Sequence, residues 1–115
     1  DELRAERLAE LAEIRYAREI GGTAYNGWPQ NTDRASQGKA VGAYAMASNG
    51  LWPTGSAWKF ADGVARALTA GQVQQMALSI AAHVQACFDR EAALAETLRA
   101  SLDPLSVDLM TGWPA

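Results

Sequence analysis

Leu68-Thr69-Ala70-Gly71-Gln72-Val73-Gln74-Gln75-Met76 opens the stretch, running on to Ala100, whose reading decides how this chain is built. Thr69 and Gln72 stand three apart, as a capping box requires: the threonine oxygen accepts from the N–H of residue 72, and the glutamine side chain reaches back to the N–H of residue 69. Leu68 and Val73 flank the box at the spacing of a hydrophobic staple. Beyond it Val73, Met76, Ile80, Val84, Cys87, Phe88, Leu94 and Leu98 recur at intervals mostly of three and four. That spacing predicts one helix to about residue 100, roughly 45 Å long at about 1.5 Å per residue. Asp103-Pro104 ends it, because the residue before a proline is pushed out of the helical region. The remaining elements are expected to pack against this helix.

Working outward, Leu3, Leu8, Leu11 and Ile14 share one arc of a helix over residues 2–19, stopped by Gly21-Gly22. Tyr16 and Ile20 point to another side, so the end of this helix is expected to pack on its own domain. Its start, with Leu8 and Leu11, is expected to lie outside the core and face a partner. Tyr25 and Trp28 flank Asn26-Gly27, a dipeptide suited to the positive φ angles of a two-residue hairpin loop. Thr32-Asp33 offers a helix cap, and Ala40, Val41, Tyr44 and Ala47 predict a second helix over about 34–48, ended by Asn49-Gly50. Gly38 and Gly42 lie one turn apart on it. Glycine weakens a helix, so a close approach of another element is expected there. Leu51–Ser56 reads as a loop, and Trp58, Phe60, Val64 and Leu68 surround Asp62-Gly63 as a second hairpin. The fold class is therefore α+β, in the order helix, hairpin, helix, hairpin, long helix. Residues 1–20 form an N-terminal helix that would link to an upstream region, 21–103 a globular domain, and 104–115 a tail lying back on the domain or loose.

Composition narrows function. The chain has 115 residues and 24 alanines, with 31 bulky apolar side chains, enough for a single domain of close-packed helices. Ten basic against thirteen acidic residues give a net charge of −3, and no Lys/Arg-rich run exists to track phosphates, so nucleic-acid binding is not expected. No apolar run is long enough for a membrane span, and the start at Asp1 without a methionine suggests a piece of a longer protein. Cys87, alone, cannot form an internal disulfide.

His83 and Cys87, four apart on the long helix, would present half of a zinc site, but the sequence holds no further histidine or cysteine to complete it. A small metal-dependent hydrolase using His83 with nearby carboxylates is the enzymatic alternative. The plainer reading is a partly buried histidine satisfied by a local partner. Asp33 is explained as a cap, Asp62 as a turn residue, and Asp89-Arg90-Glu91 as a solvated helix face. No catalytic, cofactor-binding or metal-binding residue is assigned. Of the four tryptophans, Trp58 is expected in the core, whereas Trp52 and Trp113, each followed by proline, are candidate surface anchors alongside Leu8 and Leu11.

The run His83-Val84-Gln85-Ala86-Cys87-Phe88-Asp89-Arg90-Glu91-Ala92-Ala93-Leu94, with Asn31-Thr32-Asp33-Arg34-Ala35-Ser36-Gln37, Trp58 and Leu68-Thr69, resembles a domain-of-unknown-function family of tailed phages and prophages, number 4376. The resemblance spans about residues 10–100. It implies a non-enzymatic structural or assembly module, resembling C-terminal modules encoded near tail-fibre genes. The implied partners are other tail proteins, a tail-fibre protein among them, or further copies of the chain. The implied location is the virion tail, or the host cytoplasm during assembly if the protein is instead a fibre chaperone absent from the particle.

Overall fold

In the computed structural model, which describes residues 1–115, the elements are α1 (Glu2–Glu19), β1 (Thr23–Tyr25), β2 (Trp28–Gln30), α2 (Arg34–Ser48), β3 (Ala57–Lys59), β4 (Ala65–Ala67), α3 (Ala70–Ala100) and a short 3-10 turn (Pro104–Ser106). The predicted α+β order is the observed one. The capping box forms as its spacing requires: Gln72 N–H donates to Thr69 Oγ1 at 3.2 Å, and Thr69 N–H donates to Gln72 Oε1 at 2.9 Å. Asn26 and Gly27 take φ angles of 53° and 76° at the reversal between β1 and β2, which pairs Tyr25 with Trp28. In the second hairpin, Phe60 N–H donates to Val64 O and Gly63 N–H to Phe60 O, each at 3.0 Å, with Gly63 at φ 81°. This is a three-residue loop with its glycine at the left-handed position.

The helices form two stacks rather than one bundle. Both α1 and α2 run antiparallel to α3, end to end, α2 on its first half and α1 on its second. Two apolar cores result. In the first, Ala40, Ala43 and Ala47 of α2 meet Val73, Met76, Ala77 and Ile80 of α3, closed by Phe60 and Leu68. The three alanines let the helix axes come close, a role expected for glycine. Gly38 and Gly42 instead face outward, and a Cβ built on either would meet nothing within 4 Å. The expected close approach is corrected: it is made on the opposite face of α2.

The second core joins Leu11 to Leu94, Ala95, Leu98 and Leu109 of the tail, with Leu8, Ile14, Val107 and Trp113 packed around them. Leu11 is 1% exposed. The expectation that Leu8 and Leu11 lie outside the core is thus overturned. The leucine arc is the face that α1 turns to α3, while Tyr16 is exposed and carries Arg34 stacked 5.4 Å from its ring centre. The tail lies back on the body, so α1 and residues 104–115 are not separate from the packing of α3.

Charged residues that look solvated in sequence hold this second core together. The last carbonyls of a helix lack intrahelical donors. Arg4 supplies them for α3, its Nε donating to Leu98 O at 2.9 Å and its Nη2 to Ser101 O. One turn on, Arg7 donates to Pro104 O at 3.2 Å and to Val107 O, tying down the tail.

Candidate interaction surface

Between the two cores lies a polar joint, and it holds His83 and Cys87, the pair that sequence offered as half of a zinc site. Glu19, 1% exposed, accepts from Arg15 Nη1 at 2.6 Å, Arg34 Nη2 at 2.9 Å and Gln37 Nε2 at 2.9 Å. Burial works to raise its carboxyl pKa, but the bonds from Arg34, Gln37 and Arg15 outweigh burial and hold it below the ordinary value. Thr32, fully buried, donates its hydroxyl to Glu19 O at 2.7 Å and accepts from Gly22 N–H at 2.9 Å. His83 Nε2 lies 3.0 Å from Arg18 O, where a proton on that nitrogen donates to the carbonyl. Thr32 and His83 thus bond the carbonyls of the last turn of α1, His83 sharing Arg18 O with Gly21 N–H. Cys87 Sγ lies 3.8 Å from His83 Nε2, but the thiol is wholly buried, and burial pushes its pKa up. A thiol so placed is inert. No three His, Cys, Asp or Glu side chains come together to hold a metal ion.

The carboxylates read from sequence as cap, turn residue and helix face are likewise engaged. Asp33 accepts from Ser36 N–H at 3.2 Å, and Asp62 accepts from Val64 N–H at 3.1 Å and from Arg66 Nη2 at 2.9 Å. Asp89 accepts from Gln85 Nε2 at 2.9 Å and Glu91 from Arg15 Nε at 3.4 Å.

The four anchor candidates divide. Leu11 is internal, and Leu8 is half-buried at the rim of a shallow groove of about 440 Å³ between α1 and α3, beside Phe88. Trp52 and Trp113 are half-buried lids, one on each core. Their indole N–H groups are already bonded inside the chain, to Leu68 O and Leu109 O, each at 2.9 Å. Trp58, expected in the core, sits at its edge with its indole on Gln30 Oε1, and Phe60 takes the fully buried place.

The surface that sequence reasoning missed is the outer side of α2. A surface helix ordinarily turns charged residues to water. From Ala40 to Ser48 α2 has none, although Val41, Gly42, Tyr44, Ala45, Met46 and Ser48 are all exposed. Val41 is 70% exposed. The hydrogen bond from Gln74 Nε2 to Ser48 Oγ, 3.1 Å, aligns the two antiparallel helices. One turn back from Ser48 comes Tyr44, and one turn on from Gln74 comes Leu78, 55% exposed, so the uncharged strip extends onto α3. The signal was present in the sequence as Gly38 and Gly42, read as facing inward.

A three-helix rod with two small hairpins, an uncharged outer helix face and a capped polar joint is the class of object these features define. The chain belongs to the family described as domain of unknown function DUF4376, which it matches over residues 2–111. No curated protein matches it. No solved structure matches it either.

Proposed function

We propose that this protein is a non-enzymatic interaction module that packs against another protein through the outer face of α2, and that it serves the assembly or structure of a phage or prophage tail. The observation that carries the interaction reading is the uncharged, small-residue strip of Gly38, Val41, Gly42 and Ala45 standing open to solvent. Two glycines inside a helix each cost about 1 kcal/mol relative to alanine, a cost without return unless something approaches closely. The non-enzymatic reading is supported by the work that His83, Asp33, Asp62 and Glu91 already do as caps, turn acceptors and ion-pair partners. The tail context rests on the resemblance of the 83–94 run and its companions to a family of tailed phages.

The test is chemical cross-linking in lysates and purified particles of the phage or induced prophage that encodes the chain, read by mass spectrometry. A tail protein joined to residues around α2 is the expected result. Gly42→Lys should abolish that link while leaving the melting temperature unchanged or raised. Absence of any linked tail protein, both in particles and during assembly, would sink the proposal.

A further inference from the structure

A cavity of about 500 Å³ opens beside that face, between β2, the start of α2 and the β3–β4 hairpin, lined in part by Gln30, Asn31, Ser36, Lys39, Trp58 and Lys59. Gln30 is 2% exposed. Its Oε1 accepts from Trp58 Nε1 at 3.3 Å, which fixes the sense of the amide and leaves Nε2 buried with no acceptor. A buried donor left unbonded is costly, and in native proteins such groups find a partner.

The rest of the lining says which acceptor fits. No acidic side chain lines the cavity, and neither Lys39 nor Lys59 is in an ion pair, in a chain whose net charge is −3. The nearby Asp33 carboxylate is turned to the N–H and hydroxyl of Ser36. Two ammonium groups outside any ion pair and one amide donor, with an indole at the wall, complement an anionic acceptor. Phosphate is favoured less, since the first turn of α2, whose N–H groups would bind it, is capped by the Asp33 carboxylate. Ser36 and Lys39 belong to α2 itself, so a protein lying along the uncharged strip would have the cavity at its edge.

We propose that this cavity is a carboxylate-binding site that receives an aspartate or glutamate side chain of the protein docked on α2, with Gln30 Nε2, Lys39 and Lys59 as its donors. The identity of the source rests on the interaction reading above, whereas the carboxylate preference is testable on the chain alone. The probe is the capped tripeptide acetyl-Ala-Glu-Ala-amide, titrated into ¹⁵N-labelled protein at constant ionic strength. The side-chain amide of Gln30 and the indole N–H of Trp58 are followed by NMR.

Saturable movement of both signals at millimolar peptide is expected, with acetyl-Ala-Gln-Ala-amide about tenfold weaker or silent. Lys39→Gln with Lys59→Gln should weaken the glutamate peptide by about tenfold at unchanged melting temperature, since both lysines are exposed. An equal response to the two peptides, or an unmoved Gln30, would overturn the site. Tighter binding of inorganic phosphate, or of acetyl-Ala-Ala-Ala with a free C-terminus, would overturn the assignment to an acidic side chain. Because no tail protein enters this titration, its failure leaves the cross-linking result standing, and the reverse holds too.

Discussion

Replacing Leu11 by alanine would open a void where it meets Leu94, Ala95, Leu98 and Leu109. A loss of about 2–5 kcal/mol is expected in denaturant unfolding, the usual range for a buried leucine. If Leu11→Ala melts like the parent, α1 is not held on α3 as described. The two outward glycines should respond in the opposite sense. Gly38 and Gly42 sit in ordinary helical backbone with open space beyond, so Gly38→Ala should stabilise the isolated chain by about 0.5–1 kcal/mol, read as a rise in melting temperature. A fall instead would mean that the position is tight within the chain. Burial decides both cases, and neither sign could be read from residue type.

At the scale of elements, the junction of α1 with α2 is the part most sensitive to pH. Glu19 has a carboxyl pKa below its ordinary value, so its stabilisation is fully present above the unfolded-state pKa and is lost as pH falls through the lower, folded-state one. The parent's melting temperature should therefore drop on acidification from roughly pH 5 to pH 3, and Glu19→Gln should flatten that part of the curve. At neutral pH Glu19→Gln should cost about 1–3 kcal/mol: Arg15 is largely buried and would lose its shorter ion pair, but it keeps Glu91 at 3.4 Å and Arg34 is mostly exposed, which limits the loss. Parallel acid profiles for the two proteins would show that Glu19 does not hold the junction. This joint could not be recognised along the chain, because Glu19, Thr32, Gln37 and His83 come together only when α1 and α2 stack on α3.

The whole molecule is a rod, 57 × 26 × 19 Å, with a radius of gyration of 17.5 Å where a compact chain of this length would have about 13 Å. Its two cores share only α3, which should let one loosen without the other. Deleting residues 104–115 would remove Leu109 and Trp113 from the second core and the carbonyls that hold Arg7. Hydrogen exchange should then show faster opening of α1, with α2 still protected. Uniform loss of protection would show that the cores unfold as one. Ile80→Asp, by contrast, places an unpaired charge at a 2% exposed position in the first core, and should destabilise the chain by about 4 kcal/mol or more, measured by thermal melting. A barely changed melt would refute the packing of α2 on that face.

Every helix and both reversals were legible in the sequence, because each rests on neighbours within a few residues: the Thr69–Gln72 box, the Asp33 cap, and the positive φ angles at Asn26-Gly27 and Gly63. Periodicity located the apolar arc of α1 and most of the seam of α3, although Phe88, counted in that seam, is 38% exposed with Arg15 over its ring. What a face meets is set by elements far apart in sequence, and there the reading failed. The leucine arc of α1 could equally seek a partner helix or α3, and the Arg4 and Arg7 bonds to the end of α3 and the tail tie it to α3. The alanines and glycines of α2 offer two small-residue faces, and periodicity cannot tell which one the core takes. The tertiary structure seats Ala40, Ala43 and Ala47 on α3 and so leaves Gly38 and Gly42 facing out. The candidate surface is thus the face left over once α2 had packed, a remainder that only the assembled chain defines.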